Sequence, residues 1–272
     1  MRTLVVENLQ THFIGRERTV KAVDGVSFAI APGQVLGLVG ESGSGKSMTG
    51  NSIMGLIDPP ASVVGGRILF QGQDLLALNA EQMRRLRGNR IAMIFQDPMM
   101  SLNPVLRIDT QMIEAVRAHH RVSRAAARER ARDMLARVGI PAPAERLSAY
   151  PHQFSGGMRQ RVAIAIAMIN QPDLIIADEP TTALDVTIQQ QILNQMQQLC
   201  AESGTSLLWI THDLGVVAGL AEEVAVMRAG RIVEQGTTDA VINHAQHPYT
   251  RALLAALPSA GTPGRPLLGA AS

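Results

Sequence analysis

The sequence predicts an α/β protein with a mostly parallel sheet, an antiparallel β region ahead of it and a helical insertion within it. Three observations carry that reading. Short apolar runs alternate with segments of helical period through most of the chain. One junction between such a run and a helix is the glycine-rich stretch Gly40, Glu41, Ser42, Gly43, Ser44, Gly45, Lys46 and Ser47. Residues 97–150 lose the strand pattern and read mostly as helices.

In chain order, residues 4–9 and 26–30 are β-patterned and flank a turn at Gly15. Residues 34–39, apolar and bounded by Pro32 and Gly33, are expected to form a buried strand. Residues 48–56 carry apolar side chains at helical spacing, and a strand at 67–70 follows Gly65 and Gly66. A further strand, 91–95, precedes the helical stretch, in which 108–119 and 123–138 read as two helices. Ser123 is the N-cap of the second, and Gly139 ahead of Pro141 closes it. A helix at 158–169, a strand at 173–177, a Gln-rich helix at 186–202 and a strand at 207–210 restore the alternation, which runs on through Ala225 to 230–234. No internal repeat is present. Residues 1–258 are expected to be one domain, with a helical subdomain inserted at about 97–160. The Gly-, Pro-, Ala- and Ser-rich tail, 259–272, is expected to be mobile.

At 272 residues, 46% hydrophobic and 18% charged, the chain can build a sizeable apolar interior. A formal net charge of +2 gives no ground for a nucleic-acid groove, and 3% aromatics leave few platforms for stacking bases. Arg121, Arg124, Arg128, Arg130 and Arg132 interleave with alanines and Glu129, the pattern of a solvated helix face. No run approaches about 18 apolar residues and no signal-peptide pattern opens the chain, so the protein is expected to stay inside the cell. Cys200 is the one cysteine, which excludes an internal disulfide and a multi-cysteine metal site.

The chemistry sits at the ends of strands. A glycine-rich turn between strand and helix points backbone N–H groups around phosphates, and the helix N-terminus adds its dipole. Lys46 would reach the β- and γ-phosphates of a nucleotide, and the Ser47 hydroxyl would sit on Mg²⁺. The strand at 173–177 runs into Asp178, Glu179 and Pro180. Asp178 is placed to hold Mg²⁺ through water, and Glu179 to polarise the attacking water as a general base. ATP and Mg²⁺ are the expected ligands of a P-loop NTPase (RecA-like) core.

Phe154, Ser155, Gly156, Gly157, Met158, Arg159 and Gln160 resemble the signature motif of ATP-binding cassette ATPases, commonly Leu-Ser-Gly-Gly-Gln. Met158 departs from the commonest form; the serine and the glycine backbone carry the phosphate contacts. The glycine pair is expected to free the backbone at a helix start. The resemblance implies that Ser155, Gly156 and Gly157 face the γ-phosphate of ATP held by an opposing subunit. Gln96, after the strand at 91–95, matches the glutamine that touches Mg²⁺ and the attacking water and links to the transmembrane partner. Ala183, Leu184 and Asp185 match the loop that crosses the dimer interface, with Asp185 at the nucleotide. His212, within Thr211, His212 and Asp213, matches the switch histidine that senses the γ-phosphate. Phe13, with His12 as the alternative, matches the aromatic that stacks on adenine.

Longer strings narrow the branch. Phe95 to Pro98, Ser101 to Pro104, Tyr150 to Arg161, Ala177 to Val186 and His247 to Thr250 are similar to the ATPase subunits of dipeptide, oligopeptide and nickel importers. The resemblance implies an ATPase that energises a peptide importer, with a nickel or metal-chelate importer as the alternative. Its implied partners are a second cassette in a heterodimer, two transmembrane permease subunits and, indirectly, an extracytoplasmic solute-binding protein. Its implied place is the cytoplasmic face of the bacterial inner membrane, as a peripheral subunit. Gly264 to Leu268 resemble the start of a tail that in relatives holds an iron–sulfur cluster, but this sequence lacks the cysteines, so no cluster is expected. A cassette ATPase of DNA maintenance is a distant alternative, disfavoured because neither heptad coiled coils nor zinc cysteines are present.

Overall fold

The computed structural model describes residues 1–15, 17–182 and 184–257. The strands are β1 (Leu4–Ile14), β2 (Thr19–Ile30), β3 (Val35–Val39), β4 (Ala61–Phe70), β5 (Gln73–Asp74), β6 (Ile91–Ile94), β7 (Leu174–Asp178), β8 (Ser206–Thr211), β9 (Glu223–Arg228) and β10 (Arg231–Thr237). The helices are α1 (Lys46–Met54), α2 (Ala80–Leu86), α3 (Ile108–Arg117), α4 (Arg124–Arg137), α5 (Pro143–Arg146), α6 (Gly156–Met168), α7 (Val186–Ser203), α8 (Leu214–Ala218), α9 (Thr238–Asn243) and α10 (Pro248–Ala255). They gather into two compact units. One holds Met1–Ala77 with the described chain from Ser206 on, the other Leu78–Thr205. The tail expected at 259–272 and Ala183 lie outside the described residues.

In the first unit, β3 pairs in parallel with both β8 and β9, and β10 pairs antiparallel with β9. Every residue of β3 and β8 is buried, as expected of parallel strands covered on both faces, which is why they read as unbroken apolar runs. A separate antiparallel sheet has the order β2-β1-β4-β5. Its hairpin is longer than the two runs at 4–9 and 26–30: β1 and β2 stay paired from Leu4 opposite Ile30 to Ile14 opposite Thr19. Register shifts after Val6, Leu9 and Thr11 break the period of two, so the outer half of the hairpin carries no clean alternation. Likewise β4 begins at Ala61 rather than residue 67, because Gly65 and Gly66 interrupt its pattern from within.

In the second unit, β6 and β7 pair in parallel from Ile91 opposite Leu174 to Ile94 opposite Ala177. The parallel pairings predicted from strand–helix alternation are thus present in both units. Helix α3 buries Ile108, Met112, Ile113 and Val116, and α4 buries Ala127, Ala131, Met134 and Leu135. Each larger side chain on these stripes contributes about 1.5–3 kcal/mol by leaving water. Ser123 caps α4 by accepting from the Ala126 N–H at 3.1 Å. Arg121, Arg124 and Arg130 are exposed, and Arg132 pairs with Glu129 and Asp133, so the basic face is solvated. Arg161 on α6 donates to the Val138 carbonyl at 2.9 Å, to Gln195 at 2.8 Å and to Gln191 at 3.0 Å, tying α6 to the end of α4 and to α7. Cys200 is buried on α7, and burial pushes its thiol up to about 12. No helix among the described residues is long and apolar enough to cross a membrane.

Candidate nucleotide-binding site

In the first unit the chain leaves β3 at Val39 and turns through Gly40 to Gly45 into α1. Gly43 and Gly45 have φ of 80° and 106°, a region that side-chain-bearing residues seldom enter. The turn is pressed tightly against its neighbours. A Cβ on Gly40 would stand 2.1 Å from the Met227 carbonyl oxygen of β9, and one on Gly45 2.1 Å from the Ala22 carbonyl oxygen of β2. Ser44 N–H donates to the Glu41 carbonyl at 3.1 Å, and Gly230 N–H to the Ser44 carbonyl at 2.9 Å.

Lys46 lies inside this turn, only 4% exposed. Its ammonium donates to the Gly40 carbonyl at 2.7 Å and the Glu41 carbonyl at 2.9 Å. The N-cap of α1 is Gly45, and no side chain caps the helix, an arrangement that suits an anion at its N-terminus. Ser42, Gly43 and Ser47 are exposed, and Ser44 is buried.

Two further predicted residues belong to the same unit. Thr11 of β1 shares a 2.7 Å hydroxyl–hydroxyl bond with Ser52 of α1. Two positions on, Phe13 is half-buried, paired with Val20 and Ala61 on the flanking strands. His212 is exposed just past the carboxyl end of β8. Asp213 fixes the backbone there by accepting from the Gly215 N–H at 2.7 Å at the start of α8.

The second unit carries the acids and the signature. Gln96 and the Asp178–Glu179 pair emerge from the same end of the parallel β6–β7 pair, since Ile94 lies opposite Ala177. Gln96 is exposed, and Asp178 is buried at 9% exposure. Glu179 has φ of 44°, left-handed for a residue with a side chain, at roughly 1–2 kcal/mol of strain. Such strain persists where surroundings over-determine a conformation, commonly at functional positions. The Glu179 carboxylate accepts from the Thr182 hydroxyl at 3.0 Å.

Ser155 is the N-cap of α6, its oxygen accepting from the Met158 N–H at 3.3 Å. The hydroxyl proton is left for a second acceptor such as a phosphate. The glycine pair behind it departs from expectation: neither Gly156 nor Gly157 has a positive φ. Space, not backbone freedom, explains the second glycine, because a Cβ on Gly157 would stand 2.9 Å from Ile188 Cγ2 in the first turn of α7. Among the described residues, a Cβ on Gly156 would meet Leu184 Cδ2 alone, at 3.9 Å. Gly157→Ala is therefore expected to destabilise the protein by about 1–3 kcal/mol. Gly156→Ala should cost far less, and urea unfolding of the two variants side by side checks this; equal losses would remove the packing argument. Asp185 caps α7, its carboxylate accepting from the Ile188 N–H at 2.9 Å through Oδ1.

These residues fit ATP. The turn offers a buried ammonium and an uncapped helix start to phosphates. Ser47, Gln96 and Asp178 are oxygen donors of the kind Mg²⁺ takes. Among the described residues no group of three His, Cys, Asp or Glu forms a metal cage, and Mg²⁺ held largely by nucleotide and water requires none. One feature escaped sequence reasoning: the Tyr249 hydroxyl accepts from the Glu41 N–H of the turn at 3.0 Å. The string His247 to Thr250 was its only signal, and that string says nothing of where it docks.

A glycine-rich turn between strand and helix in one unit, and acids at the end of a parallel strand pair in the other, are each features of a P-loop ATPase cassette. The chain belongs to the ABC transporter family, whose model matches residues 23–182. Residues 233–271 also match the oligopeptide/dipeptide transporter C-terminal region. The chain is 53% identical over 258 residues to the dipeptide transport ATP-binding protein DppD of Bacillus subtilis, covering 94% of this chain and 77% of that protein. It is 51% identical to the oligopeptide transport ATP-binding protein OppD of the same organism, over 97% of this chain and 74% of that one. With Escherichia coli DppD it shares 49% identity over 95% and 79% of the two chains. Among solved structures, a dimeric post-hydrolysis state of the cassette MJ0796 bound to ADP and Pi superposes with a TM-score of 0.78 at 26% identity, covering 86% of this chain and 98% of that one.

Proposed function

We propose that this chain is the ATP-hydrolysing subunit of an importer of dipeptides or oligopeptides. The observation that carries the reading is the buried Lys46 ammonium, held inside a glycine-bounded turn at an uncapped helix start. Relatives named for dipeptide and oligopeptide transport supply the cargo class and favour it over nickel.

Bound with ATP, Mg²⁺ would neutralise phosphate charge and orient the γ-phosphate. Around it, Lys46 and the first turn of α1 grip the β- and γ-phosphates, with the backbone of Gly40, Gly43 and Gly45 and the hydroxyls of Ser42 and Ser44 lining the turn. Phe13 stacks on adenine. Ser47, Gln96 and, through water, Asp178 would hold the metal. Glu179 takes a proton from the attacking water, and His212 contacts the γ-phosphate. Ser155, Gly156 and Gly157 present the start of α6 to ATP on a second cassette, and the loop that ends in Asp185 lies at that interface, with Asp185 at the nucleotide. Two membrane-spanning permease subunits receive the closing motion near Gln96, with this subunit peripheral at the cytoplasmic face. A solute-binding protein delivers the peptide from outside.

The test is ATP hydrolysis by the assembled complex in liposomes. Binding protein loaded with dipeptide or longer peptide is expected to stimulate hydrolysis severalfold over unloaded binding protein. Stimulation by nickel chelates and not by peptides would reassign the cargo. Hydrolysis indifferent to every solute would remove the importer role.

A further inference from the structure

We propose that Tyr249 is a positioning residue for ATP binding: its hydroxyl orients the peptide group that seats Lys46. The inference rests on the phosphate-binding role of the turn at residues 40–47.

The geometry centres on one peptide, that joining Gly40 to Glu41. Its N–H donates to the Tyr249 hydroxyl at 3.0 Å, and its C=O accepts from the Lys46 ammonium at 2.7 Å. N–H and C=O point to opposite sides of a trans peptide, so the two bonds hold the plane from both edges. A hydrogen bond at one edge also polarises the other and strengthens the carbonyl as an acceptor. Lys46 is thereby held by a carbonyl whose direction Tyr249 sets, although the tyrosine lies far along the chain.

Tyr249 is itself held from several sides. Its ring is 7% exposed, with the Arg228 guanidinium 4.8 Å from the ring centre. Its own N–H donates to His247 Nδ1 at 3.1 Å, which caps α10. The Glu234 carboxylate accepts from the N–H groups of Gln246 at 2.6 Å and His247 at 3.2 Å, fixing the segment before the helix. The hydroxyl is therefore presented on a braced helix start rather than on a free side chain. Loss of one such bond loosens the turn that ATP requires preorganised.

Tyr249→Phe keeps the ring and removes only the hydroxyl. In the full-length chain it is expected to raise the ATP Kd about threefold to tenfold, the worth of one hydrogen bond. In the assembled complex KM for ATP should rise while kcat at saturating ATP stays within about twofold. Because Tyr249 acts through Lys46, the same substitution in a Lys46→Ala background should add little, which a double-mutant cycle reads and a general loss of stability would not mimic. Unchanged or tighter ATP binding in Tyr249→Phe, or an equal effect in both backgrounds, would overturn the proposal. Wild-type affinity in Lys46→Ala alone would instead overturn the phosphate-turn reading, and this proposal with it.

Discussion

Replacing Glu179 by glutamine is expected to leave ATP bound and to slow hydrolysis by roughly 10²–10⁴-fold, the usual worth of a positioned general base. The substitution preserves size and an amide oxygen that can still accept from the Thr182 hydroxyl. It leaves the backbone at φ of 44° as strained as before, so folding should change little. What is lost is the ability to take a proton from water. Glu179 follows Asp178 directly at the end of β7, and of the two it is the less buried, which is why the proposed role of base goes to Glu179 and the metal to Asp178. Single-turnover hydrolysis beside equilibrium ATP binding makes the comparison. Near-normal turnover in this variant would move the base elsewhere.

Lys46→Ala is expected to weaken ATP binding itself, by about tenfold to a hundredfold, since hydrogen bonds to charged groups are worth about 1.5–3 kcal/mol. The ammonium stands inside the turn before any ligand arrives, donating to Gly40 and Glu41 carbonyls. Its removal deletes the cation and also takes the ammonium from the Gly40 carbonyl, while the Glu41 carbonyl keeps the Ser44 N–H, so the turn should loosen as well. Calorimetric titration with ATP reads the affinity. An unchanged Kd would count against the turn as the phosphate site. The two variants separate two steps: the lysine change strikes binding and the glutamate change strikes chemistry.

Much of this was legible in the sequence because it is local. The turn at residues 40–45 announces itself through glycines at set spacing before a helix, and the acids through an apolar run that ends in charge. Buried parallel strands such as β3 and β8 stand out as continuous apolar stretches. Ser123 and Gly139 mark the ends of α4 by their own backbone chemistry. The β1–β2 hairpin was only half visible, since a register shift sends successive side chains to unexpected faces and erases alternation. The motif glycines were visible, yet the reason for Gly157 was not: Ile188 of α7 occupies the space a side chain would need, and that contact joins two helices.

By itself, then, the sequence determined the class of protein, the core strand–helix alternation, a glycine-rich turn of the kind that suits phosphate and acids of the kind that suit metal and water. Each of these follows from chemistry between near neighbours in the chain. Only the tertiary structure decided which atoms hold the turn in shape. The press of Met227 and Ala22 on its glycines, the buried seat of Lys46 and the Tyr249 hydroxyl on the Glu41 amide join residues far apart in sequence. Such contacts depend on how strands and helices pack, and packing leaves no fixed spacing in the chain for a reader to find.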